Sequence, residues 1–309
     1  MPDAAATQAA AKPAPLQIPR HLHAILLLSV LIVAGLAGLR FLNRVAVFPP
    51  TLKDASVGPR VAAERTDVRE ARIPTEDGLS LYGWVQGRDA APRKIIMFGG
   101  NAEYTGPSAQ MYADRCAALD CQFLIFDYRG FANSPGQPSE HGLYRDARGA
   151  YNFAITELGW KPAQIILWGR SLGGAVAIRL AHELQAETRR EALKDGAPAA
   201  ALLLEAPFLS IGAMGKHYYP WLIKPEWFAY TIMDNGKLAA DLKLPVFQLH
   251  GDKDEIIPFE QGEALHAAFK GPKQFLRLEG VMHNNVWQDE ARTKRIDQAM
   301  DEFLNKHAP

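Results

Sequence analysis

Gly169-Arg170-Ser171-Leu172-Gly173-Gly174 follows directly on the apolar run Ile165-Ile166-Leu167-Trp168. A serine set between glycines at the end of a buried strand is either an ordinary turn or a backbone forced into a shape that pushes a hydroxyl outward. The residues after it, Leu172-Gly173-Gly174-Ala175-Val176, open a helical pattern. Strand, sharp turn and helix are the setting of a nucleophile elbow, in which flanking glycines let the turn pack closely and the serine stands above a helix N-terminus. The five-residue pattern alone is weak, so its meaning depends on what surrounds it.

Short apolar runs ending in Gly, Asp or another turn residue recur through the chain: 94–100, 121–130, 164–169, 201–208, 245–251 and 273–280. Helical patterns lie between most of them, at 108–119, 142–158, 172–185, 261–269 and 290–305. This alternation predicts an α/β domain with a mostly parallel sheet covered by helices on both faces. Two further strand-like runs, 68–74 and 79–85, flank Glu76-Asp77-Gly78 and read as a hairpin. In open parallel sheets the site lies beyond the carboxyl ends of the strands, so the residues just after each strand are the ones to inspect.

A serine nucleophile needs a base, and the base an orienting acid. Beyond residue 171 the histidines are His182, His217, His250, His266, His283 and His307. His182 and His266 fall within helical patterns, His307 lies in the terminal tail, and His250 stands against a turn as a loop brace. His283 follows the last strand, which makes it the expected base. The preceding strand ends in His250-Gly251-Asp252-Lys253-Asp254-Glu255. Asp254 is the expected acid there and Asp252 the alternative. Arg129, in Asp127-Tyr128-Arg129-Gly130, either binds a substrate carboxylate or forms a structural ion pair beneath the site, the second being favoured.

The chain has 309 residues, 48% of them hydrophobic, and a formal net charge of zero. That suffices for one large core, and it gives no electrostatic reason to expect nucleic acid. Cys116 and Cys121 are too few for a disulfide framework and form no CxxC pair. They read as two free, buried or half-buried thiols, with pairing in an oxidising compartment as the alternative. Residues 1–20 have the Ala-, Pro- and Gln-rich composition of a disordered tail. Ala24–Leu39 carries no charge and, extended over 21–43, is expected to be an uncleaved single membrane anchor. A cleaved signal peptide or a core helix are the other readings. Positive charge flanks it on both sides, leaving the orientation open.

Together GRSLGG, DYRGFANSPGQPSE, HGDKDEIIP and the closing MHNN resemble the α/β-hydrolase superfamily. More narrowly they resemble its membrane-anchored branch of ABHD-type serine hydrolases, over roughly residues 45–305. The resemblance implies an α/β-hydrolase domain over 44–309, with Ser171 as nucleophile, Asp254 as acid and His283 as base. It also implies an oxyanion hole built from the backbone N–H groups of Leu172 and Asn101. The second of these lies in Phe98-Gly99-Gly100-Asn101-Ala102, where Gly99 stands at the position of the family's histidine, which puts the rigidity of that loop in question. The segment 208–244 reads as a lid-like insertion rich in aromatics, among them His217, Tyr218, Tyr219, Trp221, Trp227, Phe228 and Tyr230. Tyr218, Tyr219 and Trp221 are the expected substrate contacts. The expected activity is cleavage of acyl or lipid-like carboxylic esters or thioesters by a monomer with no metal or organic cofactor. A peptidase of the same fold and a catalytically silent membrane-tethered interaction protein are the alternatives.

Overall fold

The computed structural model describes residues 20–48, 56–101, 103–190, 198–221, 224 and 229–308. The expected disordered tail over 1–20 lies, apart from residue 20, outside the described residues, as do Trp227 and Phe228 of the insertion.

A first helix, α1 (Arg20–Val47), precedes α2 (Val57–Glu64). The hairpin β1 (Val68–Pro74) and β2 (Ser80–Gly87) follows, then β3 (Arg93–Phe98), α3 (Ala109–Leu119), β4 (Cys121–Phe126) and α4 (Glu140–Thr156). Next come β5 (Ile165–Arg170), α5 (Leu172–Arg190) and β6 (Ala201–Glu205). The insertion holds α6 (Ile211–Tyr218) and α7 (Asn235–Ala239), and the chain closes with β7 (Val246–Gly251), α8 (Phe259–Ala268), β8 (Lys273–Leu278) and α9 (Glu290–His307).

The strands form one eight-stranded sheet in the order β1-β2-β4-β3-β5-β6-β7-β8. β1 and β2 pair antiparallel, as do β2 and β4, and every other neighbour is parallel. Successive side chains of a strand point to opposite faces, and both faces are apolar here. Along β3, Ile96 and Phe98 join the core shared with α4 and α5, while Ile95 and Met97 join the core shared with α3 and α9. That two-sided burial is why the strands read as unbroken apolar runs. The exceptions are the two edge strands, β1 with Arg69, Glu70, Arg72 and Pro74 exposed and β8 with Lys273, Gln274 and Arg277 exposed, a composition that discourages further pairing.

Two strands stop earlier than their apolar runs. β4 ends at Phe126 because the Asp127 carboxylate accepts hydrogen bonds from the Thr105 and Asn133 amides and Gly130 turns the chain at φ +72°. β6 ends at Glu205, the next residue, Ala206, having φ +46°. Cys116 and Cys121 are free thiols.

The apolar N-terminal segment does form a helix, and its Leu27, Leu28, Leu31, Val33 and Phe41 are exposed. Among the described residues, however, no helix is long and apolar enough to cross a membrane. The spanning anchor expected over 21–43 is therefore not shown by the described residues. The side chains of 20–26 lie outside the described residues. The far end of α1 docks on the domain: Arg44 Nη2 donates to Gln137 Oε1 at 3.2 Å, and Phe48 meets the edge of Tyr230 at 6.3 Å.

Candidate active site

The chain runs from β3 to its neighbour β4 on one side, then crosses to β5 on the other. The carboxyl ends of β3 and β5 therefore border the crevice where an α/β sheet binds its ligands. Ser171 occupies the single position between β5 and α5, with φ +51°. A left-handed backbone is strained for a residue with a side chain, and strain of this kind collects at functional turns. It is held by the Ser171 amide donating to the Glu205 carbonyl at 2.8 Å and by the Gly174 amide donating to the Ser171 carbonyl at 3.0 Å. A Cβ built on Gly173 would overlap the Phe98 carbonyl, so only glycine lets α5 press this closely on the end of β3.

The expected acid and base lie on the loops after β7 and β8. The His283 ring meets Asp254 through Nδ1 and Oδ2 at 2.7 Å, and both residues are buried. The other Asp254 oxygen accepts from the amides of Ile256 and Ile257 at 2.9 and 2.7 Å. Burial alone would raise the Asp254 carboxyl. The hydrogen bonds from His250, His283 and the Ile257 amide more than reverse this and hold it well below the usual carboxylate range. His250 braces the loop, its Nε2 lying 2.9 Å from the Ile257 carbonyl and 3.3 Å from Asp254 Oδ2. Asp252 does different work: its oxygens take the Arg277 guanidinium at 2.9 Å and the Gly280 amide at 2.7 Å, pinning the turn after β8.

The loop bearing His283 lies against the serine turn. Arg170 Nη2 donates to the His283 carbonyl at 3.2 Å and to Asn284 Oδ1 at 2.9 Å. Among the described residues no hydrogen bond joins the Ser171 hydroxyl to the His283 ring, a separation common in sites without substrate. The Leu172 amide belongs to the first turn of α5, where backbone N–H groups have no acceptor within the helix. Asn101 follows Gly100, at which a Cβ would come within 3.6 Å of the Ser171 Cβ. Both expected oxyanion donors are thus next to the serine turn.

Of the expected substrate contacts, Tyr218 bonds the acid loop, its hydroxyl donating to the carbonyls of Ile256 at 2.8 Å and Glu255 at 3.2 Å. Tyr219 and Trp221 meet edge to face at 6.3 Å, and all three are exposed. Arg129 is a structural residue: it spans Asp77 at 2.7 Å and the wholly buried Asp146 at 2.8 Å. A cavity of about 490 Å³ lined by Arg69, Lys94, Gln122 and Trp160 opens at the amino ends of β3 and β4, the opposite edge from Ser171.

Sequence reasoning missed a charged cluster around the serine turn. Arg170 reaches Glu103 and, through Nε, Glu205 Oε1 at 3.0 Å, while Trp287 Nε1 donates to Glu205 Oε2 at 3.1 Å. The signal available was a glutamate ending the apolar run Ala201-Leu202-Leu203-Leu204 and an arginine inside the serine pentapeptide.

Residues 90–235 match the Hydrolase_4 family, serine aminopeptidase S33. An uncharacterized protein of Mycobacterium tuberculosis is 33% identical over 219 residues, which cover 70% of this chain and 73% of that one. The chain belongs to the α/β-hydrolase superfamily. Within it, the human alpha/beta hydrolase domain-containing protein 17B is 28% identical over 210 residues, covering 68% of this chain and 67% of that one. The uncharacterized protein YfhR of Salmonella typhimurium is 30% identical over 211 residues, covering 64% and 68%. The Pyrococcus furiosus esterase Pf2001 superposes with a TM-score of 0.60 at 17% identity, over 78% of this chain and 91% of its own, a likeness of fold. For this α/β-hydrolase, hydrolysis is the general chemistry.

Proposed function

We propose that this α/β-hydrolase is a serine esterase that cleaves carboxylic esters or thioesters of acyl, lipid-like substrates through an acyl-enzyme. The observation that carries the reading is the buried His283–Asp254 pair at 2.7 Å, on a loop tied by Arg170 to the strained turn of Ser171. His283 Nε2 takes the Ser171 proton as Oγ attacks the acyl carbonyl. The oxyanion accepts from the amides of Leu172 and Asn101, each such donor contributing about 3 kcal/mol in the transition state. Asp254, held ionised by its hydrogen bonds, fixes the ring with Nδ1–H toward Oδ2 and stabilises the imidazolium. The leaving alcohol or thiol takes the proton from His283, and water, deprotonated by the same ring, releases the acid. The residues are all from one chain, so a monomer suffices.

The preference for acyl chains rests on the exposed Tyr218, Tyr219 and Trp221 beside the acid loop and on the exposed apolar side chains of α1, which suit a lipid surface. Ser171→Ala should abolish turnover of p-nitrophenyl esters and labelling by a fluorophosphonate; undiminished labelling of the variant rejects the assignment. On the active enzyme, a flat acyl-chain-length profile with faster amide cleavage would instead favour a peptidase, and co-sedimentation with liposomes tests the place at the membrane.

A further inference from the structure

Gly99 offers no side chain to brace the loop after β3, yet the space beside it is filled. A Cβ built on Gly99 would come within 3.2 Å of both Cβ and Oε2 of Glu103. That same Oε2 accepts from the Gly100 amide at 2.6 Å, while the Glu103 amide donates to the Gly100 carbonyl at 3.2 Å. The two residues thereby close on each other through both peptide groups of the turn that carries Asn101. The other Glu103 oxygen pairs with Arg170.

Arg170 is where the site's loops meet. Its guanidinium serves Glu103 on the loop after β3, Glu205 at the end of β6, and the His283 carbonyl and Asn284 on the base loop. The Glu205 carbonyl in turn receives the Ser171 amide, and its carboxylate receives Trp287, from the start of the segment leading to α9. Glu205 is buried, its charge compensated by Arg170. A planar fork with several fixed donors can hold this many partners in one geometry, which an ammonium cannot.

We infer that Glu103 and Arg170 are positioning residues that hold the Asn101 amide in register with Ser171 and the base loop, a role that rests on the esterase reading above. Neither touches the reacting atoms. They act by keeping an oxyanion donor preorganised, and such donors stabilise the transition state more than the bound ester.

The test is steady-state kinetics on p-nitrophenyl acetate together with inhibition by an alkyl boronic acid, a mimic of the tetrahedral state. Glu103→Ala is the first variant, because Arg170 keeps Glu205 as its partner. Its kcat should fall about 10- to 100-fold, less than or equal to the loss of a whole donor. KM should stay within about threefold and boronate affinity should fall in step with kcat. Glu103→Gln keeps an oxygen for the Gly100 amide but turns its NH2 to the Arg170 guanidinium, and should recover the rate only in part, to a level between Glu103→Ala and the parent. Should Glu103→Ala not fold, Arg170→Lys, which keeps a charge beside Glu205 but lacks the fork, should give the same signature. A folded Glu103→Ala or Arg170→Lys with kcat within twofold of the parent, or one whose kcat falls while boronate affinity holds, overturns the inference if Ser171→Ala is inactive. A fully active Ser171→Ala overturns the esterase reading itself, and this inference with it.

Discussion

Gly251 and Val281 are in such close contact that a Cβ built on the glycine would overlap the Val281 carbonyl. Gly251 ends β7 three residues before Asp254, and Val281 lies two residues before His283. The contact sets the distance between the loop that carries Asp254 and the loop that carries His283. Hydrogen bonds from the Lys253 amide to the Val281 carbonyl, at 3.0 Å, and from the Asp252 amide to the Leu278 carbonyl, at 3.0 Å, continue the seam.

Gly251→Ala should therefore lower stability by about 1–3 kcal/mol, the ordinary cost of overpacking, and lower kcat as well, because the loops must part to admit the methyl group. Urea unfolding and ester turnover on the same preparation read both effects; a variant with full activity and unchanged midpoint would show that the seam is slack.

The two aspartates of the acid loop should separate cleanly. Asp254→Asn leaves the geometry but favours the wrong imidazole tautomer, and should reduce kcat by on the order of 10⁴-fold. Asp252→Asn disturbs a turn held by Arg277 and Gly280 and should leave kcat within a fewfold. Reversal of this order in p-nitrophenyl ester assays would exchange their roles.

Arg129→Met should act on stability rather than on the reaction. It would strand the buried Asp146, whose carboxyl burial already pushes up against the pull of the guanidinium. Breaking one side of a buried pair costs about 3–5 kcal/mol. A lower denaturation midpoint with an unchanged KM is the expected result, and a raised KM for anionic esters with unchanged stability would restore a substrate-binding role.

His266 gives a dependence on pH. Burial, with Lys273 nearby, pushes its imidazole down to about 4 from an ordinary 6.5. Between those values the unfolded chain binds the proton and the folded chain does not. The stability contribution is therefore fully present above about pH 6.5 and is lost as the pH falls toward 4. His266→Phe, which keeps a ring stacked on Phe275, should flatten the thermal-melting profile in that window. An identical slope in parent and variant would exclude His266 as its source.

The sheet was legible because burial on both faces leaves its trace in composition: β3, β5 and β7 are buried at nearly every position, and the runs 95–98 and 165–168 are apolar throughout. The triad candidates were legible because each follows a strand at the carboxyl edge. Pairing order was hidden, since a parallel strand does not announce its neighbours. Within the insertion, α6 and α7 begin with Ser210 and Asp234 side chains accepting from Ala213 and Lys237 amides. These short caps are easily passed over beside the aromatic residues. The Arg170 cluster was hidden for a different reason: Glu103 and Asn284 come from two loops and Glu205 from the end of β6, and no spacing in the chain connects them.

That separation has a consequence for folding. Glu103 and His283 are 180 positions apart, and Arg170 touches both only once β3, β5, β6 and the loop after β8 are in place together. Under the proposed esterase reading, reactivity of the serine therefore belongs to the finished molecule and to no fragment of it. A covalent serine probe, added during refolding or to a destabilised variant, counts the natively assembled copies directly.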